Sequence, residues 1–96
     1  MINNEKDLGV GIALLERLTT QTLPRAFEIK KKVDRGEQLI EWDIDFLQKL
    51  LERAEEIKPL VDRNPEYQGV YAQAVHLYKE ITERALLNEK ESAPPG

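Results

Sequence analysis

The chain of 96 residues contains no cysteine. That excludes disulfides, thiolate metal sites and thiol nucleophiles together. It also fits a reducing cytosol, so a cytoplasmic location is expected. Histidine occurs once, at His76. A closed zinc site takes about four ligands, and acid–base or nucleophilic chemistry at the few serines and threonines would need a nearby base. Neither HExxH nor Glu-x-x-His is present, so the sequence offers no zinc-protease or di-iron motif. No cofactor is expected.

Basic residues are outnumbered, 14 against 18 acidic, which leaves a net charge of −4. A dedicated nucleic-acid binder usually shows a basic footprint, and an anionic lipid surface attracts basic segments. The longest apolar run is residues 8–15, LGVGIALL. A bilayer span needs about 20 residues. The start MINNEKD lacks the basic stretch of a secretory signal, and no small-residue cleavage site follows the apolar run. Glycine is sparse too. Gly9 and Gly11 form GVG, but no strand precedes them and no further glycine follows at dinucleotide or P-loop spacing. They read as small residues in a first helical turn, able to approach another helix closely.

What is present is charge and helical periodicity. Charged residues make up 33% and hydrophobic residues 41%, a mix that fits exposed helices and is too apolar for a disordered chain. Ninety-six residues make a single domain. No segment alternates like a strand for more than a few residues, whereas spacings of three and four recur throughout.

In the first segment Leu8, Ile12, Leu15, Leu18, Thr19, Thr22, Ala26, Ile29 and Val33 fall on one side. The phase does not jump at Pro24, which predicts one long helix over residues 7–34, kinked near Thr20. The alternative is two helices, the second capped by Thr22. A proline inside a helix removes a backbone bond and crowds the preceding turn. Thr19 and Thr22 are placed to bond the carbonyls it frees. Gly36 then ends the helix.

A second helix begins at Glu41 or Trp42, with Asp43 and Asp45 favourable in its first turn. Its apolar residues are Ile44, Phe46, Leu47, Leu50, Leu51, Ala54, Ile57, Leu60 and Val61. They cover roughly 200° of the wheel, against a usual stripe of about 100° or more. So wide an arc predicts two packing neighbours. Pro59 lies near its end.

Asn64 and Pro65 read as the cap and first residue of a last helix reaching about Asn88. Its inner stripe is Tyr67, Val70, Tyr71, Ala74, Leu77, Tyr78, Ile81, Ala85 and Asn88. The polar end with its two prolines reads as a disordered tail over residues 91–96, after a helical domain over residues 1–90. Short turns make neighbouring helices antiparallel. The expected fold is therefore all-α, an up-down-up bundle of three long helices. A four-helix bundle is the alternative if Pro24 turns a corner.

Two features invite function. Arg25, Lys30, Lys31, Lys32 and Arg35 could form a nucleic-acid patch. Yet Ala26, Ile29 and Val33 between them face inward, Glu28 and Lys32 make an i,i+4 pair, and no aromatics interleave for stacking. Residues 16–35 carry six basic and three acidic side chains, and residues 37–66 carry four and nine. A basic first helix beside an acidic second one is better read as a solvated face with an internal counterpart. His76 and Glu80, also i,i+4, could share a metal or a proton, but both lie on the polar side of the last helix. The carboxylates of the second helix lie mainly on its outer side, where water keeps them ordinary.

The large side chains of uncertain burial are Val10, Leu14, Trp42, Tyr71 and Tyr78. Interfaces are enriched in Trp and Tyr. The sequence thus points to a non-enzymatic, cytoplasmic interaction or regulatory module, acting on a protein partner or as a homodimer. A short chain without a targeting signal suggests a bacterial source. Nucleic-acid binding through residues 25–35 and a metal-dependent role for His76 and Glu80 are the competing readings.

Overall fold

The structure, a computed structural model, describes residues 4–92, with side chains over residues 9–91. The elements are α1 (Asn4–Arg17), a π-helical turn (Leu18–Thr22), α2 (Leu23–Asp34), α3 (Glu41–Arg63), a short 3-10 turn (Pro65–Tyr67) and α4 (Gln68–Ser92). No strand occurs among the described residues. The chain forms an all-α three-helix bundle, in which α1, the π turn and α2 run on as one bent helix. It is a slender bundle of 61 × 22 × 21 Å.

Pro24 therefore bends a helix and turns no corner. Thr22 keeps helical dihedrals and caps nothing. The bend is a π turn, in which the Leu23 N–H donates to the Leu18 carbonyl five residues back. A wider turn gives the proline ring room against the carbonyl that it would crowd in a regular helix. The hydroxyls of Thr19 and Thr20 donate to the Leu15 and Glu16 carbonyls at 2.9 and 2.8 Å. Thr22 is fully buried and accepts instead from Arg53 Nη1 of α3 at 2.8 Å.

The π turn also corrects the expected stripe. The buried spacing of threes and fours runs on through Pro24, and the π turn shifts only the edge of the stripe before it. Leu15, Leu18, Thr22, Ala26, Ile29 and Val33 are buried, but Ile12 and Thr19 are exposed. Gly11 and Leu14 turn toward α3 in their place. A Cβ on Gly11 would meet Leu60 Cδ2 at 3.1 Å, so the close approach expected of this glycine is real. Leu8 lies outside the described side chains.

The end of α2 is closed twice. Gly36 takes φ +91°, the Gly36 N–H donates to the Val33 carbonyl, and the Glu37 N–H donates to that of Lys32. This is the glycine-terminated cap that satisfies the last carbonyls of a helix. Asn88 of α4, 2% exposed, adds Nδ2 bonds to the carbonyls of Val33 at 2.7 Å and Glu37 at 3.0 Å.

In α3 the buried positions Asp43, Leu47, Leu50, Ala54, Ile57 and Val61 alternate in fours and threes, with Leu60 buried beside the last of them, the spacing of a helix seated between neighbours. It packs on the first helix and on α4, the two neighbours that its wide arc requires. Asn64 does not cap the last helix. Its Nδ2 donates back to the Leu60 carbonyl and closes α3, and a 3-10 turn intervenes before α4. In α4, Ala74, Leu77, Ile81 and Asn88 are buried, with Val70, Tyr71, Tyr78 and Ala85, and Tyr67 of the 3-10 turn, packed at the core edge. The helix continues to Ser92, past the expected domain boundary at residue 90, and residues 93–96 lie outside the described residues. Among the described residues no helix is long and apolar enough to cross a membrane.

Candidate interaction surface

Each basic side chain of the 25–35 segment has a neighbour within the molecule. Lys32 reaches Asp43 of α3 at 2.7 Å, not Glu28. Lys30 bonds Asp34 at 2.7 Å and lies 3.7 Å from Glu80 of α4. The Asp34 hydrogen bond and charge hold the Lys30 pKa above its ordinary value. Lys31 lies 3.5 Å from Glu28, Arg35 bonds Glu37 at 2.7 Å, and the Arg25 guanidinium sits 5.2 Å from the centre of the Phe46 ring. The expected match of a basic first helix with an acidic second is made at one buried point, Lys32 with Asp43. Burial pushes the Asp43 carboxyl up, but hydrogen bonds from Lys32 and from the Ile40 N–H outweigh it, and its pKa lies below the usual 3.8. Asp43 thereby ties the start of α3 to the end of α2.

His76 bonds Glu80, and its side chain is 70% exposed. Among the described residues no third imidazole or carboxylate joins them to complete a group that could hold a metal ion.

The five large side chains singled out from the sequence divide into three places. Val10 and Leu14 line a hollow of 240 Å³ between α1 and the end of α3, with Pro59 and Leu60. Trp42 stands at the opposite end of α3, 75% exposed, between Glu41 and Asp45. Tyr71 and Tyr78 are half-buried against the core. They do not make one surface.

A mainly apolar groove lies where the α2–α3 connection and the first turn of α3 meet the last turns of α4. Leu39, Ile44, Ala85 and Leu86 line a groove of 330 Å³, with Gln38, Thr82 and Glu89 at its edges. Ile44 is 47% and Leu86 58% exposed. Its polar groups are few, and the Thr82 hydroxyl already donates to the Tyr78 and Lys79 carbonyls of its own helix. The groove therefore offers apolar contact more than directional bonding.

Sequence reasoning missed most of this site. Leu39 lies between the predicted helices, and Ile44 belongs to the apolar arc expected to face the core. The available signal was at Leu86 and Leu87, two leucines adjacent in sequence to the inner stripe of Ile81, Ala85 and Asn88 but off it. Two exposed leucines on one turn of an otherwise satisfied helix mark a face with further use.

Comparison with protein-family models, with curated proteins and with solved structures finds no match to this chain.

Proposed function

We propose that this protein is a non-catalytic helical interaction module, acting by helix-face contact at the groove between Ile44 and Leu86. The observation that carries the reading is this groove. Four aliphatic residues from three segments converge there, and the two at its rims remain half in water. Apolar anchors of this kind receive the side chains of a partner helix, while surrounding charges set its orientation. Of the groups that a proton-transfer or metal role would use, His76 is 70% exposed and Glu80 lies beside Lys30 of α2.

The test is quantitative affinity capture from cells that make the protein, comparing the natural chain with an Ile44→Ser/Leu86→Ser variant. A partner held by the natural chain and lost with the variant is the expected result. The same proteins recovered by both would sink the reading.

A further inference from the structure

The groove does not run alone. Ile44 lies three residues after Glu41 and four before Gln48, so the three share one side of α3. Glu41, Asp45, Gln48, Glu52 and Glu55 continue that side at spacings of four and three, an outer stripe of about 21 Å. Glu41, Asp45, Glu52, Glu55 and the neighbouring Glu56 are exposed and form no ion pair within the described residues. Lys49 is the single exposed cation between positions 41 and 56. On α4 the outward residues near the groove are mixed and balanced, Lys79 and Lys90 against Glu83 and Glu89. The negative field is therefore a property of the α3 side.

We infer that the occupant of this groove is a basic amphipathic helix of a partner protein, seating aliphatic residues between Ile44 and Leu86 and laying its lysines or arginines along the carboxylates of α3. This rests on the interaction reading above and specifies the partner's chemistry. A second copy of the chain fits poorly. Its basic segment is α2, whose apolar side is buried in the bundle and whose cations already have neighbours inside the molecule. A small polar ligand fits poorly as well, because four of the seven lining residues are aliphatic and the Thr82 hydroxyl is already engaged within its own helix. Opposed charge at the rim acts mainly on association and orientation, and the apolar centre on residence.

The experiment uses the full chain and two synthetic amphipathic peptides of about five turns, one of leucine and lysine and one of leucine and glutamate, followed by fluorescence anisotropy. The leucine–lysine peptide is expected to bind, and to weaken by at least about tenfold between low and high salt. Ile44→Ser/Leu86→Ser is expected to weaken it by at least about tenfold. These substitutions are neutral, so they test the groove without altering the field. Both positions are on the surface, and a melting curve by circular dichroism checks that the variant stays folded. Glu41→Gln/Glu52→Gln is expected to weaken binding and flatten its salt dependence. The leucine–glutamate peptide is expected not to bind.

Equal binding of both peptides overturns the basic-partner inference and leaves the interaction module standing. So does a doubled mass without peptide that Leu86→Ser abolishes, since the groove then belongs to a second copy. Binding of the leucine–lysine peptide that ignores the groove variant overturns the inference too, because surface charge alone then explains it. No binding of either peptide, together with unchanged affinity capture, removes both readings.

Discussion

Asn88 and Asp43 do similar work from opposite sides of the α2–α3 connection. Asn88 reaches from α4 to two carbonyls at the end of α2, and Asp43 reaches from α3 to Lys32 and to the N–H of Ile40. Asn88→Ala removes both amide bonds at a buried side chain, and the expected loss is about 1–3 kcal/mol in urea unfolding. The Val33 carbonyl keeps its bond from Gly36, which argues for the lower half of that range. A loss near zero would mean that the amide is not holding the connection. For Asp43 the expectation carries a pH signature. Its folded pKa is below the unfolded one, so its stabilisation is present above pH 3.8 and is lost as pH falls through the folded value. Asp43→Asn is therefore expected to cost about 1–2 kcal/mol at neutral pH, and the gap to the natural chain should close below pH 3.8. Parallel unfolding midpoints for the two proteins from neutral to strongly acid solution would contradict it. Of these two residues the sequence shows Asp43 as a helix-start residue and Asn88 as an inner-stripe member. Their partners, eleven and more than fifty positions away, are set by packing, which no local pattern contains.

The helices themselves are largely readable from the chain, because burial imposes a spacing of three and four wherever a helix meets a neighbour. The stripe of α4 and the wide arc of α3 are recovered almost residue for residue. The failure at Ile12 and Thr19 has a specific cause. Pro24 marks where the first helix must yield, but a kink, a corner and a π turn all relieve the same clash, and only the π turn shifts the edge of the stripe before it. The two internal prolines then differ in consequence. Pro24 follows a turn already widened for it. Pro59 is exposed inside α3, an element that stays α-helical from Glu41 to Arg63, so the carbonyl four residues earlier lacks its donor with no such adjustment. Pro59→Ala is expected to stabilise the protein by about 1–3 kcal/mol, and Pro24→Ala by less. Thermal melts of the two variants decide this, and an equal gain would mean that the π turn does not absorb the strain of Pro24. The groove was hidden for a different reason. Ile44 reads as part of the core arc of its own helix and Leu86 as an apolar residue off the inner stripe of another, and only the antiparallel approach of α3 and α4 puts them on one opening.

At the scale of the whole molecule, shape sets how much surface is left for a partner. The Cα radius of gyration is 16.0 Å, where a compact chain of about 100 residues has about 13 Å. Three helices of this length side by side bury one narrow core and leave long outer faces. The accessible surface is 6844 Å², against roughly 5,700 Å² for a typical monomer of this mass. An elongated bundle with half-exposed Ile44 and Leu86 could meet its surplus by pairing with itself. The internal engagement of the α2 cations argues otherwise, since the acidic side of α3 on one copy would face the acidic side of the other or compete for bonds already made. Light scattering from low to high micromolar concentration should therefore return the monomer mass of 11.1 kDa, at low and high salt alike. Like-charge repulsion along α3 would be relieved as salt rises, so a dimer that forms only at high salt would show that the apolar groove can pair copies once the field is screened. A dimer already present at low salt would show that burial of the groove outweighs that repulsion. In that case the acidic stripe is spectator surface, and a basic partner helix is no longer what the groove selects.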